Sequence, residues 1–272
     1  MATFDLGAVA DEVKAAQDAA AQIVPLTSRF SDFDAESAYE VARIIHERRM
    51  SEGAVPVGRK IGFTNPDMWE LYGVREPIWA YIYDRTVKYG VKELGRCPIR
   101  GFVEPRIEPE IILHFRTPPP VTEDLEEILQ CIDWVAHGIE IVQSHFPNWK
   151  FRAADTIADW ALHGALLIGE PQSVDQLGPD VIPRLERFSV SLSCNGTVRE
   201  VGRGSNVLGS PIAALRKLIS VISTQPRFSN IQANELVTTG TLTKALPIRG
   251  GETWSTDIDG IALAGVTVGF EM

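Results

Sequence analysis

Apolar residues recur at helical spacing in two stretches near the start of the chain. The first stretch covers about residues 6–24 and the second about residues 35–50, with Asp32 or Asp34 available as the N-cap of the second. The pattern therefore predicts a helical segment over residues 1–53.

Beyond this segment the pattern changes to short apolar runs separated by glycine and proline, which are typical of strands. Strands are predicted at residues 55–63, 78–83, 108–115, 138–142, 165–168, 235–239, 244–248 and 261–270. Two further helices are predicted at about residues 124–135 and 211–221, the second with a proline in its first turn. Because strands and helices are grouped apart, with few regular β-α alternations, an α+β fold is predicted, with the strand-rich domain at residues 54–272.

The composition is that of a globular protein. Of the 272 residues, 44% are hydrophobic and 23% are charged, which is enough to bury a large core. The formal net charge of −10, without a cluster of Lys and Arg, argues against a nucleic-acid partner. Three separated cysteines indicate neither a disulfide framework nor a zinc site. The N-terminal residues lack a signal-peptide pattern, and no apolar run reaches about 18 residues, so a soluble cytoplasmic protein without a membrane partner is predicted.

Two carboxylates stand out near the middle of the chain. Glu108 and Glu110 are two positions apart in a predicted strand, so their side chains point to the same face. Adjacent anions repel unless a cation lies between them, and Mg²⁺ prefers oxygen ligands of this kind. The plainer alternative is a solvated edge strand, which Pro109 would also suit.

Two further residues extend this picture. Glu140 interrupts an apolar run and, if buried, needs a partner, although a half-exposed strand would also explain it. Three carboxylates on one Mg²⁺ would leave about three positions for a 2-oxo acid and water. Lys60 lies between Gly58 and Gly62 and is a candidate to pair with a substrate carboxylate or to move a proton, unless it is simply solvated.

Several common catalytic motifs are absent. The H-E-x-x-H zinc motif that begins at His46 fails because its fifth position is Met50. The glycines of residues 202–209 do not have the spacing of a dinucleotide-binding loop. No G-x-S-x-G elbow is present, and the five histidines form no obvious triad.

Taken in order, the motifs of the chain resemble the hydratase/decarboxylase branch of the fumarylacetoacetase superfamily, which includes 2-oxopent-4-enoate hydratase and 4-oxalocrotonate decarboxylase. The resemblance covers most of the chain. The motifs that carry it are residues 58–64, 105–110, 139–144, 155–159, 202–205 and 208–211.

The resemblance implies a mixed β-roll catalytic domain behind the N-terminal helical segment, and a homo-oligomer. It also implies that Mg²⁺ or Mn²⁺ is held by three carboxylates and that a small 2-oxo or 2-hydroxy acid is the substrate. The metal ligands would be Glu108, Glu110 and Glu140. The catalytic residues would be Lys60 and Asp155, which are expected to pair with each other. The substrate-binding residues would be Lys60, Arg106, Gln143 and Ser144.

Three features depart from the family pattern. Where hydratases look to have a carboxylate, this chain has Ile78, as the decarboxylases do. Trp160 replaces an asparagine, and Leu162 and His163 replace small residues. A reshaped substrate pocket is therefore expected.

The function that these residues favour is a metal-dependent lyase acting on a small 2-oxo or 2-hydroxy-dienoic acid. Hydration of a conjugated C=C bond by way of an enolate is the leading reaction, and decarboxylation of the 4-oxalocrotonate type is the nearest alternative. C–C hydrolysis of a β-diketo acid and a non-catalytic small-acid binding protein are further alternatives. The exact substrate, the subunit number and the choice between Mg²⁺ and Mn²⁺ stay open.

Overall fold

The computed structural model describes residues 4–66, 69–90 and 93–272 of the chain. Its helices are α1 Leu6–Ala19, α2 Leu26–Arg29, α3 Ala35–Ser51, α4 Trp69–Tyr72, α5 Leu125–Leu129, α6 Ala153–Ala158, α7 Val181–Arg187 and α8 Pro211–Ser223. Within these described ranges, no helix combines the length and the apolar content needed to cross a membrane.

The strands form two sheets. They are β1 Pro56–Gly62, β2 Ile78–Tyr83, β3 Val87–Tyr89, β4 Glu93–Pro98, β5 Arg106–Phe115, β6 Ile132–Val142, β7 His163–Ile168, β8 Gln172–Ser173, β9 Ser189–Cys194, β10 Thr197–Arg203, β11 Leu236–Thr238, β12 Leu246–Pro247, β13 Thr253–Asp259 and β14 Thr267–Glu271. The larger sheet has the order β2-β1-β11-β5-β6-β7-β3, with β12 beside β5 and β8 beside β6. The smaller sheet has the order β10-β9-β13-β14-β4.

The two sheets share a core. Ile107 of β5 and Ile141 of β6 pack in one apolar cluster with Leu192 and Phe270 of the smaller sheet. All four side chains are almost completely buried, so the cluster ties the sheets together through apolar contact. This arrangement of curled, mixed sheets with separate helices confirms the predicted α+β fold.

The long antiparallel pair of β5 and β6 lies at the centre of the larger sheet. Helix α8 covers it, and Leu215 of α8 belongs to the same buried cluster as Leu113 of β5. The helix begins as its sequence suggests, because Ser210 accepts a hydrogen bond from the Ala213 amide at 3.2 Å and Pro211 occupies the first turn. The paired strands are thereby held rigid.

The N-terminal helices pack on the edge of the larger sheet. Val13 of α1 and Val41 of α3 share a buried cluster with Ile78 of β2 and Ile157 of α6. Helix α3 ends before β1 begins, at the place where the domain boundary is predicted, but the boundary itself stays a prediction.

Three predicted elements differ from the observed ones. The first helix ends early because Ala20 adopts a left-handed conformation with φ of 48°. The helix predicted at residues 124–135 is wrong beyond Leu129, since the residues from Ile132 onward pair with β5. The predicted strand at residues 261–270 is observed only as β14. Long-range strand pairing overrides local propensity in the second case.

Candidate metal centre

Three carboxylates meet on the central strand pair. In the β5–β6 register Glu108 lies directly opposite Glu140, and Glu110 follows on the same face of β5. Each of the three offers an oxygen, and these oxygens all lie within 4.8 Å of one another. Glu108, Glu110 and Glu140, called here the carboxylate triad, are thus brought together as the sequence predicts.

Without a bound cation, burial and mutual repulsion disfavour the ionised form of the triad. Desolvation, with the neighbouring Glu140, raises the pKa of Glu108 to about 7 and the pKa of Glu110 well above its ordinary range. Burial also acts to raise the pKa of Glu140, but Lys60 and His163 outweigh it and lower that pKa to about 2. Two of the three carboxylates therefore need additional positive charge to be ionised near neutral pH.

Two carboxylate oxygens of the triad have no hydrogen-bond partner among the described residues. Glu140 accepts hydrogen bonds at Oε1, from Lys60 Nζ at 2.9 Å and His163 Nδ1 at 2.6 Å, which leaves its Oε2 unpaired. Glu110 accepts at Oε2 from the Gly240 amide at 2.9 Å, which leaves its Oε1 unpaired. Buried unpaired oxygens are costly. A hard divalent cation would satisfy both, so the donor set fits Mg²⁺.

Lys60 is the cation that the structure places beside the triad. Its side chain, on β1, is 3% exposed. Burial acts to lower the pKa of Lys60, but the carboxylates of the triad raise it overall, so the ammonium group keeps its charge. Its neighbour Arg59 points to the other face of β1, where the guanidinium lies 4.0 Å from the centre of the Tyr81 ring.

The loop after β11 supplies the Gly240 amide. Gly240 has a φ of +95°, and a Cβ at this position would lie 2.0 Å from the Thr64 hydroxyl oxygen. Only glycine fits this close approach and this backbone conformation. Sequence reasoning missed Gly240, because its contact with β5 exists only in the folded chain.

His163 is the second residue that sequence reasoning left without a role. At the start of β7 it donates from Nδ1 to Glu140, and its Nε2 lies 2.8 Å from the Thr86 hydroxyl oxygen. Burial lowers the pKa of His163 although Glu140 acts to raise it. The available signal was its departure from the family pattern.

Arg106 lies on the same strand face as the triad, two positions before Glu108. Its guanidinium carbon is 4.0 Å from the centre of the Trp149 ring. Burial lowers the pKa of Arg106, with Glu108 and other groups opposing this. The structure thus places a partly desolvated guanidinium beside the triad, and its binding of substrate stays a prediction.

Gln143 and Ser144 lie just after β6 and hydrogen-bond to backbone. Gln143 accepts from the Val103 amide at 3.1 Å, and Ser144 donates to the Phe146 carbonyl at 2.8 Å. Both side chains therefore shape the adjoining loops, and their binding of substrate stays a prediction.

Asp155 is engaged elsewhere than expected. Its carboxylate accepts from the Thr27 amide and hydroxyl at 2.9 and 2.7 Å, and from the Arg152 amide at 2.8 Å. Among the described residues, the ion pair of Lys60 is with Glu140. The expected ion pair between Asp155 and Lys60 is therefore wrong, because Asp155 caps α6 and joins it to α2. A direct part for Asp155 in the chemistry, which rested on that pair, stays a prediction.

Comparison with known proteins places this geometry in a class. No family model matches the chain. The 2-keto-4-pentenoate hydratase of Paraburkholderia xenovorans (strain LB400) is 30% identical over 240 residues, covering 88% of this chain and 86% of the relative. The 4-oxalocrotonate decarboxylase of Pseudomonas sp. (strain CF600) is 27% identical over 248 residues, covering 90% of this chain and 89% of the relative.

Comparison with solved structures leads to the same class of protein. The 4-oxalocrotonate decarboxylase from Pseudomonas putida G7, complexed with magnesium and adipate, superposes with a TM-score of 0.89 at 25% identity, covering 99% of this chain and all of the other. Fumarylpyruvate hydrolase from Pseudomonas aeruginosa, in complex with Mn²⁺ and pyruvate, has a TM-score of 0.58 at 17% identity, covering 79% of this chain and 88% of the other, and shares the fold.

Fold and carboxylate triad together define a metal-dependent lyase with the fumarylacetoacetase-type fold. The chain belongs to the family of 2-keto-4-pentenoate hydratases and 4-oxalocrotonate decarboxylases. The resemblance carried by the sequence motifs is thereby confirmed.

Proposed function

We propose that this chain is a Mg²⁺-dependent lyase that adds water to the conjugated C=C bond of a small 2-hydroxy-dienoic acid. The observation that carries the proposal is a pair of fully buried oxygens, Glu110 Oε1 and Glu140 Oε2, which lie near the Lys60 ammonium and have no hydrogen-bond partner in the described part of the chain. A non-catalytic binding protein would have no need of such a costly arrangement. The names of the relatives supply the substrate class.

The triad would hold the cation through its unpaired oxygens. When bound, the cation acts as a Lewis acid that stabilises negative charge on the substrate. Lys60 remains protonated at neutral pH and is positioned to bind the substrate carboxylate or to move a proton. Arg106, on the same strand face, adds positive charge for an anionic substrate.

Decarboxylation is the second candidate, and Ile78 favours it. Ile78 is 5% exposed and lies opposite Gly62 at the end of β1 that follows Lys60. It offers no proton donor or acceptor at the position where the hydratase pattern has a carboxylate. Loss of CO₂ needs no group to activate water, and a decarboxylase is the structural neighbour with a TM-score of 0.89.

The test is product analysis by NMR with the Mg²⁺-loaded protein, given 2-hydroxypenta-2,4-dienoate and, separately, 4-oxalocrotonate. We expect a 4-hydroxy-2-oxo acid from the first substrate, lost in Glu110→Gln. The matched control is Glu186→Gln, on the exposed face of α7, which should keep wild-type turnover. CO₂ release from the second substrate alone would establish the decarboxylase. Metal-independent turnover, or none, would contradict the lyase proposal.

Three further expectations belong to this proposal. Mg²⁺ or Mn²⁺ is the working ion, and parallel activation titrations would decide between them. The protein is expected to be a homo-oligomer, which sedimentation velocity would measure. A cytoplasmic location is the third, and it rests on the composition of the chain.

A further inference from the structure

The two carboxylate oxygens of Glu140 differ in their hydrogen bonds. Oε1 receives two donors, Lys60 Nζ at 2.9 Å and His163 Nδ1 at 2.6 Å, while Oε2 has no partner among the described residues. A carboxylate with one oxygen held and the other free has a defined orientation. Glu140 supplies one of the three carboxylate oxygens that lie within 4.8 Å of one another in the triad.

Contacts on the side of the ring away from Glu140 hold the His163 imidazole in place. The Thr86 hydroxyl lies 2.8 Å from its Nε2, and the Trp160 ring meets the imidazole edge-on with 5.0 Å between the ring centres. The imidazole is fully buried. A side chain with both ring nitrogens engaged and one face packed has little freedom to rotate.

The backbone that leads into His163 is strained. Trp160, Ala161 and Leu162, called here the left-handed turn, have φ values of 56°, 46° and 64°. For residues other than glycine, this conformation is unfavourable because the Cβ atom lies too close to the carbonyl oxygen. Such strain persists only where surrounding contacts impose it, and it concentrates at functional sites.

Several contacts impose the left-handed turn. The Trp160 indole donates to the Tyr81 carbonyl at 2.5 Å, and the Arg49 guanidinium carbon lies 4.7 Å from the centre of the Trp160 ring. The Leu162 carbonyl accepts a hydrogen bond from the backbone amide of Gln143 at 2.9 Å. The turn is thus fastened to α3, to β2 and to the end of β6, the strand that carries Glu140.

We propose that His163 is a positioning residue, which keeps Glu140 aimed at the metal and allows Lys60 to leave Glu140 for the substrate. The inference rests on the proposed metal centre. If Lys60 were the sole donor to Oε1, its departure would leave a buried, charged acceptor unsatisfied, which is unfavourable. With His163 in place, Oε1 keeps a donor throughout.

The experiment measures Mn²⁺ affinity by calorimetry and the spectrum of the bound ion by electron paramagnetic resonance. His163→Leu removes the donor, and we expect affinity to fall about 10- to 100-fold with a broadened spectrum. His163→Asn can place an amide N–H near the position of Nδ1 and should restore most of the affinity. Thr86→Val removes only the support behind the imidazole and should give an intermediate loss.

The control is His114→Asn. His114 Nδ1 also meets a carboxylate, that of Asp133, at 2.7 Å, but this pair is partly exposed and outside the triad. Its substitution should leave Mn²⁺ affinity unchanged. Thermal unfolding of each variant verifies that it is folded, and Thr86→Val keeps the test decisive if His163→Leu does not fold.

Two failures are distinguishable. Wild-type Mn²⁺ affinity in both His163→Leu and Thr86→Val, with affinity lost in Glu110→Gln, would overturn the role of His163 and leave the metal centre standing. Absence of Mn²⁺ binding in the wild-type protein would overturn the metal centre and this inference together.

Discussion

At the scale of single residues, the site is dominated by charge that the fold buries. Glu110 and Glu140 are fully buried, and Lys60 is the one cation in ion-pair contact with the triad among the described residues. Two fully buried carboxylates and the partly buried Glu108 against one ammonium leave excess negative charge in a region of low dielectric constant. The metal-free protein should therefore be less stable than the metal-bound protein.

This excess charge predicts an unusual pH dependence for the metal-free protein. The pKa of Glu108 is raised from 4.5 to about 7, and that of Glu110 is also raised well above 4.5. These two groups make the folded state bind more protons than the unfolded state, so their contribution to stability should fall as pH rises from about 4.5 through 7. The lowered pKa values of His46, His137 and His163 act in the opposite direction below the ordinary histidine value of 6.5. The carboxylate contribution is therefore measured as the difference between the wild-type protein and Glu110→Gln in thermal unfolding with EDTA.

Glu110→Gln is the control for that experiment, because it removes one raised pKa and relieves the other. Relative to this variant, the wild-type protein should lose stability between pH 5 and pH 8. Saturating Mg²⁺ should stabilise the wild-type protein more at pH 8 than at pH 5, since protons compete for the same oxygens. An equal pH dependence in the two proteins would contradict the assigned burial of charge.

At the scale of elements, the loop after β11 is the part of the site that should tolerate substitution least. Gly240 donates its amide to Glu110 while its α-carbon faces Thr64. This loop must place a backbone amide on the Glu110 carboxylate and also fit against the Thr64 side chain, and these two requirements restrict its backbone conformation. The conformation of this loop and the orientation of Glu110 are thus coupled.

Gly240→Ala tests this coupling. Added strain and the clash with Thr64 should lower the free energy of unfolding by about 2–5 kcal/mol and weaken Mn²⁺ binding, measured by denaturation and calorimetry. Gly251→Ala is the matched control, because Gly251 also has a positive φ, of +88°, but a Cβ there meets nothing within 4 Å. The control should lose about 1 kcal/mol and keep its metal affinity. Equal effects in the two variants would argue against a special role for Gly240.

At the scale of the whole molecule, the N-terminal helices and the site are mechanically connected. Ile45 of α3 packs in the cluster that contains Ile78 of β2 and Ile157 of α6. Thr27 of α2 is hydrogen-bonded to Asp155 of α6. We therefore expect the helical segment and the sheets to unfold together.

Ile45→Ala tests this expectation away from the triad. The cavity left in the shared core should lower the free energy of unfolding by about 2–5 kcal/mol. Scanning calorimetry should show one transition, shifted as a whole to lower temperature, with or without Mg²⁺. A separate early transition, with the remainder unshifted, would mean that residues 1–53 form an independent unit.

The sequence alone determined the features that depend on local spacing. Alternation along a strand places Glu108 and Glu110 on one face, and Pro211 in the first turn marks the start of α8. The ordered motifs were sufficient to identify the family. These inferences needed no knowledge of distant partners.

Only the tertiary structure decided which groups meet. The β5–β6 register sets Glu140 opposite Glu108, and the same pairing turned part of a predicted helix into β6. Asp155 hydrogen-bonds to Thr27 and not to Lys60, and His163 contacts Glu140 from the neighbouring strand. The physical reason is that burial and pairing are properties of chain segments far apart in sequence, which local patterns do not encode.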